Sequence, residues 1–298
     1  MNRKILCLLL GAAVLGWMTV PVWAGKPAPP PPKPAKPPKD TDAGAAKTEF
    51  KDIPTLQDGP GKGYYAIVQT KLYDALIVSS NLSVQLFPKE NGERIDRPII
   101  LDNRFVFTTG EHDPIKDIVP FAGVRNLAPP SVNPTKLVFT VVNDGGTVLI
   151  QTWKFTDGKI EVEDHVKAYT GEPPNLRTFV RFPQTHKFTP NIEKSDREKQ
   201  MAGYQYILRG GKDDKTMKTT KLSYATKLEN FNVGESVENV GPWGARKISI
   251  KRKSGKGVIK YGGMWNMMPY DGLEFFFGTV ADPKTKKLDI QGFKIKID

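Results

Sequence analysis

The chain has 298 residues, a formal charge of +12 and one cysteine, Cys7. A lone early cysteine excludes cysteine-ligated zinc, a cysteine nucleophile, iron–sulfur clusters and a disulfide framework. The length that remains is enough to bury a sizeable apolar core without cross-links.

Residues 1–24 have the make-up of a secretory leader. Arg3 and Lys4 precede an apolar run over 5–20, and Val22-Trp23-Ala24 ends in the small residue that a signal peptidase accepts. The run is shorter than the roughly 20 residues that span a bilayer, so cleavage is expected and no transmembrane segment in the mature chain. Losing Arg3 and Lys4 takes the charge from +12 to +10. Export to a periplasm or beyond, in a bacterial envelope that needs no disulfides here, is the expected compartment. Nucleic acid is then not an expected partner. Basic surface in that compartment meets anionic headgroups or acidic polymers, and lysines spread singly over strand faces serve solubility equally well.

Residues 25–48 hold eight prolines between Lys26 and Pro38, interleaved with Lys33, Lys36 and Lys39. Such a composition gives a disordered, extended linker with no packed core. From residue 49 to 298 the pattern changes to short alternating strands punctuated by Gly, Asp, Asn and Pro. Strands are expected over 64–69, 72–78, 82–87, 99–101 and 104–108. Lys136–Asn143, the turn Asp144-Gly145-Gly146, Thr147–Phe155, the turn Asp157-Gly158 and Lys159–Val166 read as a three-strand meander, because glycine supplies the positive φ that tight turns require. Further strands are expected over 178–182, 204–209, 217–227, 246–251, 258–261 and 273–280. A final alternating run from Leu288 to Ile297 carries a bulge expected at Gly292. Helix is confined to short turns at 115–119, behind Asp113-Pro114, and at 196–202, where Ser195 and Glu198 have capping-box spacing.

A dozen or more short strands with almost no helix predict an all-β body, a β-sandwich or jelly roll following the Pro/Lys-rich linker. The Pro-rich gap near 170–176 leaves open one large sandwich or two small ones. Repeated alternating segments of barrel-spanning length are missing, which disfavours an outer-membrane barrel.

Catalytic signatures are sparse. There is no His-Glu-x-x-His, phosphate-binding glycine loop or nucleophile elbow. His112 and Asp113 share a loop and are the lesser candidates for a metal. Asp164 and His165 are strand neighbours and point to opposite faces. Glu161 and Glu163 have the spacing of paired carboxylates, yet alternate with Ile160 and Val162 as an ordinary solvated strand face does. Asp271 and Glu274 flank the densest aromatic stretch of the mature chain, GGMWNMMPYDGLEFFFG at 262–278. Its first part, 262–272, reads as a loop because its glycines and proline oppose a regular strand, and 273–280 as a strand buried on both faces.

Trp243, in Val-Gly-Pro-Trp-Gly, and Trp265 and Tyr270 in that stretch are aromatic residues in Gly/Pro-rich surroundings. Exposed aromatic faces stack on sugar rings while a nearby carboxylate such as Asp271 bonds hydroxyls. The expected role is therefore an exported, non-enzymatic binding protein without cofactor. Its ligand is carbohydrate or another envelope polymer, held by Trp243, Trp265, Tyr270 and Asp271. Two alternatives remain open: a secreted hydrolase using carboxylate or metal chemistry, and an assembly module that binds another envelope protein along a strand edge.

Overall fold

The computed structural model describes residues 46–102, 121–170, 177–183, 199, 202–209, 215–218, 232–233, 235–254, 259–265, 272–278, 284–285, 288 and 290–298. Within these, strands dominate, joined by one 3-10 turn at Phe50–Asp52. In chain order the first strands are β1 Lys47–Glu49, β2 Ala66–Gln69, β3 Tyr73–Ile77, β4 Val84–Glu90, β5 Glu93–Arg94, β6 Ile99–Asp102, β7 Gly123–Arg125 and β8 Ser131–Val132. The meander follows as β9 Lys136–Val142, β10 Val148–Thr156 and β11 Lys159–Ala168. Then come β12 Arg177–Pro183, β13 Gln205–Arg209, β14 Lys215–Lys218, β15 Asn232–Val233, β16 Ser236–Gly241, β17 Gly244–Ser254, β18 Ile259–Trp265, β19 Gly272–Gly278 and β20 Gln291–Ile297.

They form two ten-stranded sheets, counting β5 as a side pairing on β4. The first runs β1-β7-β9-β10-β11-β20-β17-β16-β13-β14 and the second β15-β18-β19-β12-β6-β4-β3-β2-β8. Both sheets mix strands from before and after residues 170–176, and residues 41–298 form one compact unit. The body is a single large sandwich, not two small ones.

Alternation fixes what faces inward. Leu149, Trp153 and Phe155 of β10, Ile160 and Val162 of β11, and Phe293, Ile295 and Ile297 of β20 line one wall. Tyr73, Ala75 and Ile77 of β3 and Val84 and Leu86 of β4 line the other, in one continuous core. Each large apolar side chain so enclosed contributes about 1.5–3 kcal/mol relative to exposure. The meander forms as its turns dictate. Gly146 sits at φ 83° and Gly158 at φ 94°, and the Asn143 side-chain oxygen accepts from the Thr147 N–H at 2.8 Å.

Two local features differ from expectation. Gly262 and Gly263 lie inside β18 and do not form a loop: the register against β19 shifts between Tyr261 and Gly263, so an extra residue is absorbed as a bulge. The bulge expected at Gly292 lies in β17 opposite it, between Arg252 and Ser254. Gly292 is the residue it packs on, since a Cβ there would stand 2.6 Å from Ser254 Oγ. Of the strand expected over 217–227, residues 217–218 lie in β14 and 219–227 lie outside the described residues. The segments 104–108, 115–119 and the turn at 255–257 lie outside the described residues. Lys199 is helical and its carbonyl accepts from the Ala202 N–H at 3.3 Å, within the short turn expected there.

Candidate functional site

One end of the sandwich gathers three connections: β2 to β3, β8 to β9, and β10 to β11. Between them lies a cleft of about 480 Å³, lined by Val68–Lys71, Asn133–Thr135 and Phe155–Asp157. That size is within the usual range of small-molecule sites.

Each wall of the cleft is pinned by its own turn chemistry. The Thr70 hydroxyl donates to the Tyr73 carbonyl at 2.9 Å and accepts from the Tyr73 N–H at 2.9 Å. This is the side-chain turn that Thr forms readily. Asn133 adopts φ 53°, a conformation asparagine tolerates; its side-chain oxygen accepts from the Gln69 N–H at 2.7 Å. The Asp157 Oδ1 accepts from the Lys71 N–H at 2.9 Å. Across the sandwich, the Tyr73 hydroxyl donates to the Thr156 carbonyl at 2.8 Å. Burial pushes the Tyr73 phenol well above its ordinary value, which keeps it a neutral donor, and the bond to Thr156 opposes that only in part. The three loops are therefore held before any ligand arrives.

Pro134 is the part-exposed apolar residue of the cleft, backed by Val68 and Phe155, which are 4% and 5% exposed and belong to the core. The rim is polar: the Gln69 and Asn133 amides, the Thr135 hydroxyl, the Lys71 ammonium and the Asp157 carboxylate. Asp157 keeps Oδ2 available because Oδ1 is engaged by the backbone. This array can exchange hydrogen bonds with several hydroxyls at once.

Trp243 does not fit the exposed aromatic role expected of it. It occupies the two-residue turn between Gly241 and Gly244, which pair with each other at φ 111° and φ 58°. Those glycines allow a turn that lays the indole over the sandwich end. The ring is fully buried in the core, and its N–H donates to the Arg97 carbonyl at 2.7 Å. Arg97 is itself buried, donating to the Tyr204 hydroxyl at 2.7 Å with its guanidinium 5.3 Å from that ring's centroid.

Trp265 ends β18 and pairs in register with Gly272, the first residue of β19. The connection that holds Tyr270 and Asp271 therefore joins two paired strand ends. Tyr270 and Asp271, like His112 and Asp113, lie outside the described residues. Among the described residues no three His, Cys, Asp or Glu side chains converge as metal ligands.

Asp164 and His165 separate as alternation requires. Asp164 is buried on the core face, where its Oδ1 accepts from Gln151 Nε2 at 2.8 Å, and Gln151 Oε1 accepts from the Trp153 indole at 2.8 Å. His165 stands on the other face, its pKa lowered by burial and by Lys167 against the opposing effect of Glu163. Glu161 is held at about 2 by hydrogen bonds from Lys159 and Lys253, at 2.8 and 2.5 Å, so it is an ion-paired surface group.

Fold and cleft together define an all-β sandwich with a preorganised polar end site. No family model and no curated protein matches the chain. Among solved structures, it is similar to a galactose mutarotase-like protein from Lactobacillus casei. The identity is 11% and the TM-score 0.41, over 78% of this chain and 99% of that one. It is also similar to a protein from Synechocystis, at 9% identity and TM-score 0.35, over 78% and 97% of the two chains. At that distance the function rests on the residues of this chain.

Proposed function

We propose that this protein is an exported, non-enzymatic β-sandwich of the cell envelope that binds carbohydrate, with the end cleft as its site. The observation that carries the reading is the cleft's make-up: amide, hydroxyl and carboxylate groups on pinned loops, with part-exposed Pro134 among them. The leader at 1–24 and the Pro/Lys-rich sequence that follows it, up to β1 at Lys47, support the compartment and a body held away from its attachment point. Trp265, Tyr270 and Asp271 are proposed as a second contact for a longer glycan, on their residue types and their closeness in sequence.

The test is a glycan panel against the purified chain and two variants, Asp157→Ala with Asn133→Ala, and Trp265→Ala. The first variant is expected to lose some stability, because both side chains hold a backbone N–H; binding per folded molecule that weakens in it supports the cleft. A panel with no binder, or binding indifferent to both variants, refutes the reading.

A further inference from the structure

The outer face of the first sheet is a lysine surface with a regular layout. Register pairs Lys136–Lys154, Lys154–Glu161, Glu161–Lys294 and Lys294–Lys251 set five residues in one row across β9, β10, β11, β20 and β17. Their neighbours Leu137, Trp153, Ile160, Ile295 and Ile250 point into the core, so the row points to solvent. With strands about 4.8 Å apart, the row is roughly 19 Å long. Two residues further along, Lys159 faces Lys296.

Ordinary solubility does not account for this pattern. Lys159 and Lys296 are each offset by a carboxylate, Glu161 and Asp298, whereas Lys136–Lys154 and Lys251–Lys294 are like charges directly opposite one another. Such pairs destabilise a sheet, and a surface selected for solubility alone intersperses the two signs. The row's one carboxylate, Glu161, is already neutralised by Lys159 and Lys253. Lys136, Lys154, Lys251 and Lys294 make no ion pair among the described residues, and the first three are exposed. Within these five strands Val138 is the exposed large apolar side chain, 44% exposed, and no aromatic rises beside the row. A bilayer-docking face would carry apolar residues to insert. A linear track of cations fits a linear anion.

We infer that this sheet face is a docking surface for an extended anionic polysaccharide whose carboxylates align along the Lys136–Lys154–Lys294–Lys251 row. The inference rests on the envelope-polymer reading for its compartment only, because the face and the cleft are separate surfaces with separate variants.

The test uses the full chain with polygalacturonate as probe, by calorimetry at about 50 mM and about 500 mM salt, concentrations chosen to shorten the screening length several-fold. The expected result is binding at low salt that is lost at high salt. The triple variant Lys154→Gln, Lys251→Gln, Lys294→Gln is expected to bind at least about tenfold more weakly. Glu161→Gln, which frees Lys159 and Lys253, is expected to bind more tightly. The triple variant is expected to melt no lower than the parent, because like-charge pairs have been relieved. Asp157→Ala is expected to leave polygalacturonate binding unchanged, whereas it lowers binding of a neutral glycan, so the two readings fail separately. Undiminished binding by the triple variant overturns the inference. So does binding to phosphatidylglycerol vesicles with none to polygalacturonate.

Discussion

Replacing Trp243 by Phe isolates the difference between a structural tryptophan and a ligand platform. The substitution removes the indole N–H that donates to the Arg97 carbonyl at 2.7 Å in a site without solvent. A buried carbonyl left unpaired costs about 1–3 kcal/mol. The smaller ring also leaves a void at the sandwich end, costing about 1 kcal/mol. Together the loss is about 2–4 kcal/mol, which for a body of this size lowers Tm by roughly 6–12 °C at the middle of that range. Urea unfolding followed by circular dichroism gives the free energy, and iodide quenching of native fluorescence reports access to the ring. The variant is expected to lose stability while its glycan binding per folded molecule stays the same. A loss under about 0.5 kcal/mol, the scatter of an uninvolved surface site, would refute the assigned role. So would a Trp243 fluorescence that iodide quenches freely in the native state.

Other perturbations test separate parts of the fold. Gln151→Leu strands the Trp153 N–H in the core and removes the amide that donates to Asp164 Oδ1, and is expected to cost about 1–3 kcal/mol by chemical denaturation. Gly241→Ala, at φ 111° and with its new Cβ 2.7 Å from the Tyr204 ring, is expected to cost more than Gly63→Ala, at φ 83° in open space. The ordering of their melting temperatures checks this. Asp74→Ala leaves the Lys89 ammonium, whose side chain is 13% exposed, without its carboxylate partner at 2.6 Å. A loss of about 3 kcal/mol or more is expected in equilibrium unfolding. Glu161 is depressed to about 2 by Lys159 and Lys253. Its stabilisation is therefore present above its unfolded value near 4.5 and lost as pH falls from there toward 2. Glu161→Gln is expected to flatten thermal stability over that window and to leave it unchanged in slope near pH 7.

Much of the architecture was readable because the sheet's period is short and its turns are chemically marked. Asp157-Gly158 and Asp144-Gly145-Gly146 name their turns, and the alternation through Trp153, Phe155, Ile160 and Val162 names the core face. Whether one sandwich or two would form was not readable. The answer depends on pairings such as β11 with β20 and β12 with β6, which join distant segments and leave no local mark. Trp243 misled for a physical reason. A Gly-Pro-Trp-Gly turn has the composition of an exposed loop, and only the approach of the Arg97 carbonyl from elsewhere in the chain shows the indole turned inward. The Gly262-Gly263 pair misled similarly, since a bulge lets a strand absorb an irregular residue. The cleft is not legible in the sequence because Thr70, Asn133 and Asp157 each have the make-up of an ordinary turn residue. Their convergence is a property of three loops at one end, visible beforehand only as Asn133-Pro134 and Asp157-Gly158 marking connections.

The most direct test of carbohydrate binding at the sandwich end is calorimetric titration of the purified chain with the best binder from a neutral glycan panel, repeated with Asp157→Ala plus Asn133→Ala. Saturable binding that weakens at least about tenfold per folded molecule in the variant, still folded at the assay temperature, is the expected result, equivalent to losing about 1.4 kcal/mol of polar contact. Equal affinity in parent and variant, or no saturable binding by the parent, would contradict it.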